Sequence, residues 1–305
     1  MTDLAPAPSR ARFAWLANQP YLLLTLTSLF WAGNAIAGRS AAGHIPPVTL
    51  AFIRWGGAFL ITLPFAWPHL VRDWPAIREK LGLMIAISVI GIGMFNTMQY
   101  WALEYTQALN VLLLQSAGPL FVAIWSLMLL GVRLTWAQAL GIVVSMCGVL
   151  VILLHGDLTA LASIGFNRGD VIFTVAMVIF GCYPVMTLKK PAIHGLSFLS
   201  FTIGGGALCL VPLVIWEMFT RPLIQPTVPN LLALIYVVVF PSTLAYLCYN
   251  RGVQLIGANR AAPFLHLVPV FGAVMAIFLL GEKLQLFHII GFVLVIVGVV
   301  VAARK

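Results

Sequence analysis

Polar and aromatic side chains embedded in long apolar runs are the residues of this sequence that are equipped to hold a ligand. At membrane depth such groups are costly unless they face a cavity or a partner, so they mark candidate sites. The candidates are Trp31, Asn34, Asn96, Gln99, Tyr100, Gln115, Tyr183, Thr243, Tyr246 and His266. Amides, hydroxyls and an imidazole supply hydrogen bonds, and aromatic rings supply apolar walls. The set is suited to binding a small molecule.

The groups that most enzymes use are missing from the apolar runs. The eight carboxylates lie in a tail, a loop or the end of a run: Asp3, Asp73, Glu79, Glu104, Asp157, Asp170, Glu217 and Glu282. The four cysteines form no cluster with histidine, which indicates small buried side chains rather than metal ligands. An integral-membrane enzyme acting on lipid-linked substrates needs paired acids, a metal site or a nucleophile with its base. We therefore expect no catalytic residue, metal or cofactor.

The composition identifies the surroundings of the candidates. The chain is 62% hydrophobic and 8% charged, with mean hydropathy +1.04, which is too little charge for a soluble surface. A membrane-spanning helix needs about 20 apolar residues. Ten runs qualify: 20–38, 47–67, 81–101, 108–130, 135–154, 170–189, 195–216, 230–249, 260–280 and 285–302. The sequence predicts an all-α membrane protein with ten transmembrane helices.

The distribution of Lys and Arg predicts the orientation. With the N-terminus inside, twelve basic residues fall in cytoplasmic segments and four in outside loops, and positive charge favours the cytoplasm. The twelve are Arg10, Arg12, Arg72, Arg78, Lys80, Arg133, Lys189, Lys190, Arg251, Arg260, Arg304 and Lys305; the four are Arg39, Arg168, Arg221 and Lys283. We expect a cytoplasmic tail over residues 1–19, both termini in the cytoplasm, the cell inner membrane as location, and no nucleic-acid partner.

The chain repeats itself with an offset of 150 residues. The matching pairs include Pro119 and Pro269, Gly141 and Gly291, and Gly148 and Gly298. Each repeat, 20–154 and 170–302, contains five predicted spans, and an odd number inverts the second repeat in the membrane. Inverted repeats around a midplane site are typical of alternating-access transporters. Pro119, Pro269 and Gly33 are the predicted hinges.

Each proline is expected to kink a long helix, because it removes the hydrogen bond to the carbonyl four residues earlier. Gln115 lies at that place before Pro119, and His266 lies close to it before Pro269. Gln115 is equally suited to line a cavity or to cap the freed carbonyl. His266 is expected to face the cavity, and the alternative is a neutral buried imidazole with a backbone partner.

Helical spacing places Trp31 with Asn34, and Thr243 with Tyr246, on shared faces. Tyr100 lies near a span end, where aromatic belts also occur. Arg54 is a basic residue left inside a span. We favour a structural role for Arg54, with its head snorkelling outward or lying at a helix C-terminus.

Several motifs resemble the drug/metabolite transporter superfamily, in its EamA branch. They include Trp31 to Asn34, Phe52 to Arg54, Gly257 to Asn259, and Leu280 to Lys283, and the resemblance covers nearly the whole chain. The aromatic-rich surroundings of Trp31, Tyr100 and Tyr246 are most similar to the YddG-type exporters of aromatic amino acids. The resemblance implies ten spans in a 5+5 arrangement and transport of a small molecule.

The leading hypothesis is a monomeric exporter of aromatic amino acids that works by alternating access. Alternatives are export of other amino acids or of lipophilic drugs and cations, and a nucleotide-sugar carrier, which would need more basic residues inside the spans. A membrane enzyme is the competing class. Proton- or sodium-coupled carriers generally need a carboxylate in the pathway, so the sequence favours passive transport or coupling through His266.

Overall fold

The computed structural model describes residues 15–41, 44–103, 105–106, 114–115, 117–154, 156–157, 167–220, 227–280 and 285–303. Within these ranges all regular structure is helical, which confirms the predicted class. The helices are α1 (Pro20–Ala41), α2 (Pro47–Glu79), α3 (Leu81–Ala102), α4 (Gly118–Leu130), α5 (Trp136–Leu153), α6 (Arg168–Thr187), α7 (Gly195–Thr220), α8 (Val228–Ile256), α9 (Leu267–Leu280) and α10 (Leu286–Ala303). A helical turn, Ala258–Ala261, and a 3-10 segment, Ala262–His266, lead into α9.

Apolar length is the property that makes most of these helices candidates to cross a membrane. Seven qualify by length and composition within the described residues, namely α2, α3, α5, α6, α7, α8 and α10, and α4 is a shorter apolar helix. The count of ten spans and the cytoplasmic location of both termini stay predictions. Residues 1–14 of the predicted tail and residues 108–113 of the fourth predicted span lie outside the described residues.

The second helix is longer than the sequence predicts. The predicted span ends at residue 67, and the turn-forming residues between Trp67 and Lys80 predict a loop, whereas α2 continues to Glu79 with three prolines inside it. Its buried residues recur with helical spacing, as at Arg54, Ala58, Thr62 and Ala66, and α2 packs along α7. This packing outweighs the hydrogen bonds that the prolines remove, so turn-forming residues alone predicted a loop wrongly.

One carboxylate near the C-terminal end of each helix links α2 to α7. Near the end of α7, the buried Glu217 accepts hydrogen bonds from the backbone nitrogen and hydroxyl of Thr49, at 2.6 and 2.8 Å. Near the end of α2, Asp73 accepts hydrogen bonds from the backbone nitrogen of His194 and from Ser197 Oγ, at 2.8 and 2.7 Å. Each carboxylate satisfies N–H groups at the positive end of the other helix. The two helices are therefore antiparallel and cap each other reciprocally.

Two histidines stack beside Asp73, where the C-terminal part of α2 meets the start of α7. The rings of His69 and His194 lie 3.8 Å apart with an interplanar angle of 9°. Arg72 pairs with Asp73 at 3.3 Å, and its Nη2 lies 3.4 Å from His69 Nδ1. Burial, His69 and Arg72 lower the pKa of His194 below its ordinary value of 6.5, although Asp73 acts in the opposite direction. The junction thus favours the neutral form of His194.

Close glycine contacts join the last helices of the two repeats. A Cβ atom on Gly141 would lie 2.5 Å from the carbonyl oxygen of Gly298, and one on Gly148 would lie 2.7 Å from that of Gly291. The early glycine of each helix thus faces the late glycine of the other. The helices α5 and α10 are therefore antiparallel and related by a local two-fold axis, as inverted repeats require.

Both α3 and α8 contain a π-helical segment at matching positions of the two repeats, Val89–Met94 and Val238–Leu244. A π-helical turn bonds each residue to the fifth one along and is frequent at functional sites. In the second segment the hydroxyl of Thr243 donates to the carbonyl of Val238 at 2.9 Å, which stabilises the wider turn. Hydropathy gives no signal for these segments, and the sequence did not predict them.

Candidate functional site

Six aromatic side chains from four helices meet inside the bundle. We call this group the aromatic cluster: Trp31 of α1, Trp55 of α2, Phe180 and Tyr183 of α6, and Tyr246 and Tyr249 of α8. The ring of Tyr246 lies 5.1 Å from that of Trp55, 5.5 Å from Trp31 and 5.9 Å from Tyr183, each in edge-to-face geometry. Trp31 also lies 5.2 Å from Tyr249. These distances lie within the range in which aromatic rings attract each other.

The π-helical segments position these rings. A Cβ atom on Gly91 would lie 1.9 Å from a ring carbon of Tyr183, so glycine lets α6 approach the backbone of α3. The hydroxyl of Tyr246 donates to the carbonyl of Gly91 at 3.2 Å. Trp31 Nε1 donates to the carbonyl of Pro241 at 3.0 Å. Both segments thus present backbone acceptors to the aromatic cluster.

A buried polar network contacts the cluster. Arg54, only 1% exposed, donates from Nε to Ser242 Oγ at 2.5 Å. Its Nη1 donates to Asn96 Oδ1 at 3.0 Å and to Tyr100 Oη at 3.1 Å, and its Nη2 makes a long contact of 3.5 Å with the Pro241 carbonyl. We call Arg54, Asn96, Tyr100 and Ser242 the arginine network. It ties α2 to both helices that carry π-helical segments.

Several polar atoms near these two groups are buried without a hydrogen-bond partner among the described residues. They are Asn34 Oδ1, Trp55 Nε1, Asn96 Nδ2, Tyr249 Oη and Asn250 Nδ2. Buried polar atoms are normally satisfied, so several in one neighbourhood are an unusual feature. The same Asn250 accepts a hydrogen bond from the Tyr183 hydroxyl at 2.8 Å through its Oδ1, which places it beside the aromatic cluster.

Half of the predicted site residues converge here. Trp31, Tyr183 and Tyr246 belong to the aromatic cluster, and Asn96 and Tyr100 belong to the arginine network. Thr243 lies between them on α8, but its hydroxyl is engaged within the π-helical segment. Asn34 follows Trp31 by about one turn of α1. Gln99 lies half-buried on α3 beside Tyr100.

His266 lies at another interface. It is 1% exposed, and its Nδ1 lies 2.6 Å from the hydroxyl oxygen of Ser145 on α5. Ser145 is at the crossing of α5 and α10, since a Cβ atom on Gly298 would meet its backbone nitrogen at 2.4 Å. His266 is therefore a partnered imidazole, as in the alternative interpretation, although its partner is a side-chain hydroxyl and not the expected backbone group. A role in substrate binding stays a prediction for His266.

The prolines differ from the expected kinks within long helices. Pro119 occupies the first turn of α4, which begins at Gly118, and proline is favoured there because its missing N–H would have no partner. Pro269 is the third residue of α9, directly after the 3-10 segment. Gln115 is half-buried just before α4. The prolines therefore begin α-helical segments, and their hinge role stays a prediction.

Gly33 is a site of close packing. A Cβ atom there would lie 2.0 Å from the hydroxyl oxygen of Tyr236 on α8. That hydroxyl makes a long hydrogen bond of 3.4 Å to the carbonyl of Phe30. The glycine thus allows α1 to lie against α8 beside the aromatic cluster, and a hinge role stays a prediction.

Sequence reasoning missed Arg54, Trp55, Phe180 and Tyr249 as members of the site. Arg54 does not snorkel, because its guanidinium turns inward to the arginine network. Its position inside an apolar run was the available signal, since such charges usually face a bundle interior. Trp55 and Phe180 had no signal of their own, because apolar spans contain many rings that only fill the core. Tyr249 lies near the end of a predicted span, where an aromatic belt was the expected role.

An apolar groove of about 890 Å³ lies between α2, α3 and α7, and it contains none of the predicted site residues. Trp67, Trp74 and Leu208 line it and are 60%, 48% and 71% exposed. These exposures place the groove on the outside of the bundle. The aromatic cluster with the arginine network is therefore the better candidate site.

Comparison with known proteins gives the family. The model of the EamA-like transporter family matches residues 18–154 and again residues 167–304, so the chain contains two EamA repeats. A solved crystal structure has a TM-score of 0.73 and 18% identity, covering 93% of this chain and 96% of that chain, which shows a shared fold.

Curated relatives match over almost their full length. The uncharacterized transporter YyaM of Bacillus subtilis is 28% identical over 289 residues, which are 93% of this chain and 93% of the relative. An uncharacterized transporter of Archaeoglobus fulgidus is 28% identical, over 94% of this chain and 98% of its own length. A probable terminal-alkyne amino-acid exporter of Streptantibioticus cattleyicolor is 25% identical, over 92% of each chain. These names describe membrane transport and do not share a stated substrate.

Proposed function

Because the chain belongs to the EamA-like transporter family, we propose that it exports amino acids, aromatic ones foremost, across the cell inner membrane. The proposal includes ten spans in two inverted halves, both termini in the cytoplasm, and alternating access to one central site. The antiparallel crossing of α5 and α10 supports the inversion. The excess of basic residues in the segments assigned to the inside supports the orientation.

The observation that carries the proposal is the aromatic cluster beside the arginine network. Rings from four helices offer apolar, aromatic walls to a ring-bearing substrate. The buried cation Arg54 and the unsatisfied oxygen of Asn34 offer opposite partners, one for a carboxylate and one for an ammonium group. An amino acid has both groups. A lipophilic cation fits less well, because Arg54 repels positive charge.

The relative from Streptantibioticus cattleyicolor supports the amino-acid class, since its name describes an amino-acid exporter. Its substrate does not transfer to this chain at 25% identity. Aromatic specificity rests on the six rings of the aromatic cluster instead.

Transport requires the aromatic cluster to open, because its rings now contact one another. The backbone-to-backbone crossing of α5 and α10 is suited to remain fixed, since interdigitated glycines leave no room to slide. The helices that carry the rings, α1, α2, α6 and α8, are then the moving parts. When the rings separate on one side of the membrane, the site becomes accessible from that side.

Flux in liposomes tests the proposal. Purified full-length protein is reconstituted, and uptake of labelled phenylalanine and tryptophan is measured with and without an imposed pH gradient. We expect saturable flux above that of empty liposomes, with competition by aromatic over aliphatic amino acids. Flux without a gradient indicates passive transport.

Variants locate the site in the same assay. Trp31→Ala and Tyr246→Ala remove rings of the aromatic cluster, and Trp67→Ala removes an exposed ring of the outer groove as the matched control. We expect the first two to lose most flux and the control to retain it. The absence of amino-acid flux in correctly folded wild-type protein refutes the proposal.

A further inference from the structure

Arg54 is a permanently charged group held inside an apolar bundle. Its side chain is 1% exposed, and its hydrogen-bond partners are neutral: an amide and a phenol of α3, and a hydroxyl and a carbonyl of α8. Removing a guanidinium from water is strongly unfavourable, and dipoles compensate for it less well than an anion does. The buried charge is therefore incompletely compensated.

The carboxylates of the described residues are engaged elsewhere. Glu217 and Asp73 cap the first turns of α2 and α7. Asp170 caps α6 by accepting a hydrogen bond from the backbone nitrogen of Asn167 at 2.8 Å. Glu79 and Asp157 are exposed at helix ends or beyond them. Within the described part of the chain, Arg54 has no acidic partner.

The surroundings of Arg54 contain spare donors. Trp55 Nε1 and Asn96 Nδ2 are buried N–H donors that lack an acceptor among the described residues. The Trp55 ring lies 4.5 Å from the guanidinium carbon, and Asn96 is hydrogen-bonded to Arg54 through Oδ1. A buried cation with surplus donors needs an acceptor-rich anion. A carboxylate also matches the planar fork of a guanidinium.

We propose that Arg54 binds the carboxylate of the transported substrate, an inference that rests on the proposed function. The contact that gives way is the one from Nη2 to the Pro241 carbonyl, which at 3.5 Å is the longest of the four. Asn96 and Tyr100 keep Nη1 on α3 while Nη2 turns to the carboxylate. Binding thus weakens a tie between α2 and the π-helical segment of α8, so recognition of the carboxylate also loosens the closed cluster.

The alternative is that Arg54 only fastens three helices together. The two roles differ in one measurable ratio, the preference for a carboxylate over the matching neutral amide. Phenylalanine and phenylalaninamide are therefore compared as substrates in liposomes. In parallel, phenylacetate and phenylacetamide are compared by the thermal shift that they give the detergent-solubilised protein, which needs no transport.

We expect the wild type to prefer each carboxylate by roughly 10- to 100-fold, as for a charge-assisted hydrogen bond in a buried site. Arg54→Gln should reduce the preference to near one, mainly through KM. Arg78→Gln, at the exposed end of the same helix, removes the same charge and should keep the preference. If Arg54→Gln does not fold, Asn96→Asp replaces it: the new carboxylate faces Nη1, retains the packing, and should neutralise the site and abolish the preference.

The outcomes separate the two proposals. Amino-acid flux with an unchanged preference in Arg54→Gln, or in Asn96→Asp, overturns the role of Arg54 and leaves the exporter intact. Absence of amino-acid flux refutes the exporter, and the thermal-shift pair then decides the role of Arg54. A wild type stabilised equally by phenylacetate and phenylacetamide overturns it.

Discussion

Glu217→Gln tests whether the reciprocal caps hold α2 and α7 together. Glu217 is 1% exposed, and its Oε1 accepts from the backbone nitrogen of Val48 at 3.2 Å. Its Oε2 accepts from the backbone nitrogen and the hydroxyl of Thr49 at 2.6 and 2.8 Å. Glutamine has nearly the same size, so the packing is kept. It retains a single acceptor oxygen and turns an NH2 group toward backbone donors.

The expected loss follows from these contacts. With the amide oxygen toward Thr49, the hydrogen bond to Val48 is lost, together with the charge at the helix terminus. With the opposite orientation, the hydrogen bond from the backbone nitrogen of Thr49 is lost, and the hydroxyl of Thr49 can only accept from the new NH2 group. A buried hydrogen bond to a charged group is worth about 1.5–3 kcal/mol, and a charge at a helix terminus about 0.3–1 kcal/mol. We expect Glu217→Gln to lower the free energy of unfolding by about 2–4 kcal/mol.

The assay is reversible unfolding in mixed detergent micelles, followed by tryptophan fluorescence. Glu79→Gln is the matched control, because Glu79 is exposed at the end of α2 and should change stability by less than about 0.5 kcal/mol. Thr49→Ala combined with Glu217→Gln should be less damaging than the sum of the two single changes, because they share one contact. If Glu217→Gln is as stable as Glu79→Gln, the capping argument is wrong.

Two other predictions concern the helix crossing and the histidine junction. Gly148→Leu should abolish a monodisperse peak in size-exclusion chromatography, because its Cβ atom alone would lie 2.7 Å from the carbonyl oxygen of Gly291; Gly82→Leu, where a Cβ atom meets nothing within 4 Å, is the control. The lowered pKa of His194 means that the unfolded chain takes up the proton first, so stability should fall as the pH drops from about 6.5 toward that lower pKa. Melting temperatures between about pH 8 and pH 5 check this, and His194→Gln should reduce the dependence; an equal dependence in the variant contradicts it.

The helices and part of the repeat could be predicted from the sequence, because both depend on the pattern of apolar residues and glycines along the chain. Long apolar runs located most of the long helices, and the equivalence of Gly141 with Gly291 anticipated two glycines that do meet a partner backbone. The end of α2 was not predictable from its prolines, because packing on α7 decides it. The π-helical segments were missed for a related reason, since their side-chain and backbone hydrogen bonds form only in the folded bundle.

The site was predicted residue by residue but not as an arrangement. Asn96 and Tyr246 were predicted as site residues because polar groups inside a span are costly unless they face a cavity or a partner, and both lie at the candidate site. Arg54 was assigned to structure on the same observation, because sequence gives no direction to a long flexible side chain. His266 had the same ambiguity, and burial against Ser145 favours the partnered alternative. The sequence identifies the residue types that could form a site, but it does not show in which direction each side chain points.

At several equivalent positions the two repeats carry different polar residues. At the 150-residue offset, Asn96 corresponds to Tyr246 and Tyr100 to Asn250, so α3 and α8 carry the same two residue types in exchanged order. Earlier in the repeats the offset is 148 residues, since Gly56, Gly57 and Pro64 recur as Gly204, Gly205 and Pro212. At that offset Arg54 corresponds to Thr202, whose hydroxyl donates within its own helix to the carbonyl of Phe198 at 2.9 Å.

This asymmetry follows from what a transporter must do to a substrate with distinct ends. A symmetric frame gives inward- and outward-open states of similar energy, since each repeat takes the place of the other. A symmetric site would bind the same molecule in two opposite orientations. Under the proposed role of Arg54, one guanidinium in the first repeat, with no counterpart at Thr202, would fix a single orientation in both states. Under the proposed function, the carboxylate then stays with α2 and α3, and the ring stays with α6 and α8, throughout the cycle.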